Sequence, residues 1–140
     1  TWNEPDKVAL VTTPDATVNP DYARLTYRQA NDMINKVAIR LLAADVPRST
    51  RIAMLCDNSN EAWLTKIGIA KAGMVAAPIN VMMAPDVIAD SLRHVDAKIA
   101  IVRSGEKLVL TYQNLIGQKL TFMGKNFRAS KGEIIGACSF

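Results

Sequence analysis

The sequence predicts an α/β layered fold, a mostly parallel sheet with helices on both faces. Apolar runs of strand length at 51–56, 74–81 and 98–102 alternate with helical patterns of one to four turns, and crossovers of that kind force parallel pairing. The runs are continuously apolar rather than alternating, as strands covered on two faces must be. Composition agrees. Across 140 residues, 49% are apolar and 21% charged, an ordinary globular balance, and a chain of this length buries roughly 68% of the surface its unfolded form exposes.

Each element has a local cause. Lys7–Thr12 (KVALVT) is a short apolar and β-branched run closed by Pro14 and Asp15, hence a strand. Thr26 stands three residues ahead of Gln29, the spacing at which each side chain satisfies the other's unpaired backbone N–H at a helix start. Behind it Ala30, Met33, Ile34, Val37, Ala38, Leu41 and Leu42 form one apolar stripe, the most secure helix of the chain. Val46-Pro47-Arg48-Ser49-Thr50 breaks it, and Arg51–Cys56 (RIAMLC) reads as a strand buried on both faces. Asn58 and Glu61 repeat the capping spacing and open a second helix through Trp63, Leu64, Ile67 and Ala70 that stops at Gly73, the residue best able to take positive φ. Met74–Val81 is strand-like, with Pro78 suited to its outer part or its end. Pro85 at a first helical position and Asp86 in the first turn begin a third helix carrying Ile88, Leu92 and Val95, whose last turn holds Arg93 and His94 against the dipole. Lys98–Val102 (KIAIV) is the fourth apolar strand.

Charge divides the chain. Residues 1–102 hold 11 basic and 11 acidic side chains, so the whole net charge of +4 comes from residues 103–140, where Arg103, Lys107, Lys119, Lys125, Arg128 and Lys131 face only Glu106 and Glu133. All six prolines fall at or before Pro85, and five of seven glycines follow residue 102. Two units are therefore expected: an α/β part over 1–102 and a divergent basic tail over 103–140, partly disordered. Unrelated sequence ending a truncated or alternatively spliced product accounts for the coincident shifts better than a divergent folded continuation does. The longest uncharged stretch, Ala72 to Pro85, has 14 residues, whereas a membrane span needs about 20, so no transmembrane segment is expected. Cys56 and Cys138 are too few for a disulfide framework and show no metal-ligand spacing, which fits a reducing, intracellular compartment, with the protein cytoplasmic or peripherally membrane-associated. The chain begins at Thr1 with neither Met nor a basic-then-apolar leader, as a processed or excised polypeptide would.

Several residues invite a chemical role, and each has a plainer one. Gly68 to Gly73 has the glycine spacing of a phosphate loop but sits inside a helix and is followed by Met74 rather than Lys-Ser or Lys-Thr. Ser104-Gly-Glu-Lys107 matches a serine hydrolase pattern without its partner motifs. His94 is the only histidine, which excludes two-His metal sites, and its place favours helix capping. Cys56 ends a buried strand and reads as core, although a helix N-terminus follows it. Met33, Met54, Met74, Met82, Met83 and Met123 read as core filler, with Met82-Met83 also of the kind that lines an acyl groove. Trp2 and Trp63 read as packing residues; Asp86/Asp90 is a like-charge helical pair and Asp90/Arg93 a surface ion pair. Basic residues interleaved with Tyr112, Phe122 and Phe127 follow no nucleic-acid-binding motif, and no nucleic-acid partner is expected. No residue is assigned a catalytic, cofactor-binding or metal-ligating role.

Taken in order, "ALVTT", "LTYRQANDMINKVAIRLL", "RIAMLCDNSNEAWLTKIGIAKAGMVAAPINV" and "DSLRHVDAKIAIV" resemble the opening segment of an acyl-CoA synthetase of the adenylate-forming superfamily. The best-matched positions are Leu25-Thr26-Tyr27, Asn58, Lys71-Ala72-Gly73, Pro78, Asn80 and Ala97-Lys98, over about residues 5–102. Ile79-Asn80 after the Lys-Ala-Gly is similar to fatty-acid and other short acyl-acid activating branches, including the very-long-chain synthetases also called fatty acid transport proteins. The resemblance implies activation of a carboxylic acid by ATP to an acyl-adenylate, with loss of pyrophosphate, then attack by the coenzyme A thiol. It implies ATP, Mg²⁺ and coenzyme A as the complete enzyme's cofactors. The family's Ser/Thr/Gly-rich phosphate loop, its aromatic and acidic adenine motif, its ribose-binding Asp and its C-terminal lysine have no counterpart in these residues. The chain alone is therefore expected to bind none of these cofactors and to be inactive. The alternative is a non-enzymatic α/β binding or regulatory fragment; oligomeric state is left open by either.

Overall fold

The computed structural model describes residues 3–17, 19–97, 99–104, 107–112, 118–122, 125–129 and 133–138. In chain order these form β1 (Val8–Val11), two single turns of 3-10 helix (Pro14–Ala16 and Pro20–Ala23), β2 (Arg24–Thr26), α1 (Tyr27–Ala43), β3 (Arg51–Leu55), α2 (Asn60–Lys71), β4 (Val75–Pro78), α3 (Pro85–His94) and β5 (Ile99–Ser104). The strands β6 (Lys107–Tyr112), β7 (Gln118–Phe122), β8 (Lys125–Ala129) and β9 (Glu133–Cys138) follow. Trp2, Met123 and the Gly105-Glu106 centre of the Ser104–Lys107 pattern lie outside the described residues.

The five-stranded sheet has the order β4-β3-β5-β6-β9. The three strands joined by helices are parallel, with Ile52 beside Ala76 on one edge and Ile99 on the other. The α/β class is thus the one the apolar runs predict. The sheet as a whole is mixed: β6 pairs antiparallel with β5 from Ile99↔Tyr112 to Ser104↔Lys107, and β9 pairs antiparallel with β6. The backbone of the sheet therefore runs through Arg103, where charge and Pro/Gly content change. Strand β1 joins none of this; it pairs antiparallel with β2 in a separate two-stranded sheet, a partner that the three-residue Arg24–Thr26 gives no periodicity to reveal.

Alternation explains why β3 is apolar throughout. Ile52 and Met54, with Ile99 and Ile101 of β5, face Val37 and Leu41 of α1 and Ile69 of α2. Their neighbours Ala53, Leu55, Ala100 and Val102 face Ile88 and Leu92 of α3 on the opposite side. Both faces are covered, as right-handed crossovers require when β3 leads through α2 to β4 on one side and β4 leads back through α3 to β5 on the other. Ile52, Ile69, Ile88 and Ile99 are fully buried, each stabilising the fold by about 1.5–3 kcal/mol in transfer terms.

Helix ends obey local chemistry. Thr26 Oγ1 accepts from the Gln29 N–H at 3.3 Å and Gln29 Oε1 accepts from the Thr26 N–H at 2.9 Å, the reciprocal box its spacing predicts. The second cap differs from expectation. Ser59, not Asn58, caps α2, its Oγ accepting from the Ala62 N–H at 3.1 Å, because Cys56 to Asn58 are spent turning the chain off the end of β3. All three helices close with the same pair of backbone bonds: Val46 to Leu41 and Asp45 to Leu42 after α1, Met74 to Ile69 and Gly73 to Ala70 after α2, Ala97 to Leu92 and Asp96 to Arg93 after α3. This closure needs positive φ at one residue. Gly73 supplies it at +81°, and Asp45 and Asp96 adopt it at 52° and 49°. Strand β4 is shorter than the apolar run 74–81, ending at Pro78, which lies on an edge strand where a missing N–H costs no ladder bond.

Candidate functional site

Open α/β sheets bind ligands outside the carboxyl ends of their strands, where successive crossovers turn to opposite faces. Here β3 leads into α2 on one face and β4 into α3 on the other, so the carboxyl ends of β3 and β4 mark that place. A crevice of about 430 Å³ lies there, between Met54 and Cys56 of the β3 end, Pro78 of β4, and Asn58, Ser59 and Trp63 at the start of α2. Its polar groups are largely engaged. Ser59 Oγ is taken by its cap bond, Cys56 Sγ lies 3.7 Å from the Ile101 carbonyl as donor, and the Lys66 ammonium sits 5.1 Å from the centre of the Trp63 ring, a cation–π contact.

Trp63, half-exposed, separates this crevice from a larger groove of about 600 Å³. The groove runs between the β1 segment, contributing Pro5, Ala9 and Leu10, and the α1–α2 pair, contributing Tyr27, Ile34 and Ile67. At its rim the Arg28 guanidinium meets Asp6 at 3.1 Å; this hydrogen bond, and then the carboxylate's charge, raise the Arg28 pKa above its ordinary value. Both partners are exposed.

The residues singled out from sequence fall as follows. Gly68 is an interior residue of α2: a Cβ there would stand 2.6 Å from Val37 Cβ and 3.1 Å from the Ile34 carbonyl oxygen. This glycine serves a close helix approach, and its segment has no room to cradle a phosphate. His94 is in the last turn of α3 and Asp90 pairs with Arg93 at 2.7 Å, as their spacing predicts. Met33, Met54 and Met74 are core, Met83 packs against the α3 side of the sheet, and Met82 is exposed. Among the described residues, no three of His, Cys, Asp and Glu gather to hold a metal ion. No helix among them is long and apolar enough to cross a membrane.

Sequence reasoning missed Asn60. Buried at the start of α2, its Nδ2 donates to the Tyr22 carbonyl at 2.8 Å and reaches the Ala23 carbonyl at 3.4 Å, tying α2 to the turn before β2. Its acceptors are backbone atoms 38 and 37 residues away, which leave no mark on local pattern.

Comparison with known proteins adds four findings. The family model described as AMP-binding enzyme matches residues 2–132, well past Val102. Phosphinothricin tripeptide synthetase PhsC of Streptomyces viridochromogenes is 31% identical over 106 residues, 75% of this chain and 9% of its own. Long-chain-fatty-acid–CoA ligase FadD13 of Mycobacterium tuberculosis is 36% identical over 78 residues, 56% of this chain and 16% of its own. The solved N-terminal domain of FACL13 from the same organism superposes with a TM-score of 0.59 at 33% identity, over 69% of this chain and 23% of that one. The chain thus spans less than a fifth of the length of these two curated relatives.

Proposed function

Since this chain belongs to the AMP-binding enzyme family, we propose that it is the N-terminal part of an ATP-dependent acid–CoA ligase acting on fatty or related carboxylic acids. The observation that carries this is the family match over residues 2–132 of a chain with parallel strands β4-β3-β5 joined by helical crossovers. Identity of 36% to a long-chain-fatty-acid–CoA ligase supports the acid class and the coenzyme A step. ATP, Mg²⁺ and coenzyme A belong, in this proposal, to the complete enzyme. Gly68, inside α2, is set close against Val37, and no chemical step is assigned to the described residues. Their part is to build the parallel edge on which an adenylating site is assembled, and the isolated chain is inactive.

A second reading rests on the match to the tripeptide synthetase, which reaches further along this chain than that to the CoA ligase. On that reading the activated acid is an amino acid rather than a fatty acid. One experiment separates the two and tests both. The complete reading frame containing this chain, and the 140-residue chain alone, are assayed for carboxylate-dependent ATP–pyrophosphate exchange with fatty acids and with amino acids, then for thioester formation with coenzyme A. Fatty-acid-dependent exchange and acyl-CoA from the complete protein, with neither from the chain, is expected. Exchange from the chain alone would overturn its inactivity, and amino-acid-dependent exchange without acyl-CoA would overturn the fatty-acid reading.

A further inference from the structure

The two strands of the small sheet are held to the body very unequally. On the β2 side Leu25 is buried with Ala30, Met33 and Leu64, and the Asn60 amide clamps the Tyr22 and Ala23 carbonyls to α2. On the β1 side no residue of Val8–Val11 is buried, Val8 and Val11 are exposed, and the ladder to β2 slips in register between Val8 and Leu10. What else secures the segment is sparse: the Thr12 N–H donates to the Ala23 carbonyl, the Tyr27 and Arg28 N–H groups of α1 donate to the Lys7 and Pro5 carbonyls, Arg28 pairs with Asp6, and Leu10 packs partly buried on the β2–α1–α2 cluster.

We propose that residues 4–12 form a strap that opens as one unit while α1, α2 and the five-stranded sheet stay folded, removing one wall of the 600 Å³ groove. Opening bares the β2 edge together with the Tyr27 and Arg28 N–H groups, and the Ala23 carbonyl keeps the Asn60 amide. The Tyr27 and Arg28 side chains are exposed, so their N–H groups pass to water, and the Thr26–Gln29 box that caps α1 lies wholly within the body and survives. Few buried apolar contacts and exposed hydrogen bonds are the features of units that open below the global unfolding free energy. The hinge is the single turn that begins after Thr13, since the chain is clamped again at Tyr22. Pro5, Ala9 and Leu10 leave the groove with the strap, and the Tyr27, Ile34 and Ile67 wall remains as an open apolar face.

Native-state hydrogen exchange on the full chain tests this, read at the Thr12 and Tyr27 amides against Val37 inside α1. Thr12 and Tyr27 are expected to exchange together, faster than Val37 and with little dependence on low urea. Arg28→Ala should speed both about two- to fivefold, the worth of an exposed pair. Ile52→Val, in the sheet core, should speed Val37 and leave Thr12 and Tyr27 unchanged. Three outcomes would overturn the proposal: Ile52→Val accelerating all three amides equally, Arg28→Ala leaving Thr12 unmoved, or Tyr27 exchanging without Thr12, which is fraying of α1 alone.

Discussion

Replacing Gly68 by alanine sets two opposed effects against each other, and the structure decides the sign. Alanine in a helix interior is favoured over glycine by about 1 kcal/mol. The new Cβ would meet Val37 Cβ at 2.6 Å and Cγ1 at 2.7 Å, well inside ordinary contact. Rotating Val37 removes the second clash but not the first, since Cβ is fixed to the backbone, so α1 and α2 must separate along the seam that holds Val37, Leu41 and Ile69 against the sheet. Overpacking costs typically about 1–3 kcal/mol, and contacts this short belong to its upper part, about 2–3 kcal/mol, leaving Gly68→Ala less stable than the parent by roughly 1–2 kcal/mol. Urea unfolding of the full chain followed by far-ultraviolet circular dichroism measures it as a lower midpoint at unchanged slope. Val37→Gly supplies the control: with that Cβ gone only the Ile34 carbonyl at 3.1 Å remains close, so Gly68→Ala should cost about 2 kcal/mol less there, a favourable coupling in the double-mutant cycle. A Gly68→Ala protein as stable as the parent, or an absence of coupling, would refute the close-approach argument and reopen the segment from Gly68 to Gly73 to other roles.

The caps and the clamp give two further tests in the same assay. Thr26→Ala and Ser59→Ala should each cost about 1 kcal/mol, while Asn58→Ala should cost little; the reverse order for the second pair would restore Asn58 as the cap of α2. Asn60→Ala should cost about 1–3 kcal/mol, because it removes the Tyr22 carbonyl's donor, whereas the Ala23 carbonyl keeps the Thr12 N–H; a neutral result would mean that water replaces the amide there.

What was legible in the sequence is what neighbours in the chain decide among themselves. The Thr26–Gln29 box, Pro85 opening α3, Gly73 closing α2 and the doubly apolar runs at 51–56 and 98–102 each rest on residues within a few positions of one another. The resemblance to adenylate-forming enzymes rests on the same positions, which is why it identified the family while naming no site: Thr26, Gly73 and Pro78 shape elements and touch no substrate-bearing chemistry on their own. Even locally, Asn58 and Ser59 offered two acceptors one residue apart, and only the place where β3 stops chose between them.

Tertiary structure decided the rest because the deciding partners are distant. Gly68 reads as a helix residue in the sequence, but why it must be glycine shows only when Val37 is brought against it from α1. Asn60 carries no local signal, because its carbonyl partner in the turn before β2 lies 38 residues away in sequence. The KVALVT run is a strand on either view, but its partner is a three-residue segment and its lasting attachment to the body is slight, so the groove beside it exists only in the folded chain. By itself the sequence determined the helices, their ends and the apolar strands, since capping and alternation act over a turn or two. Pairing order, helix approach and the walls of the crevice and groove came from long-range packing, which no short stretch of residues encodes.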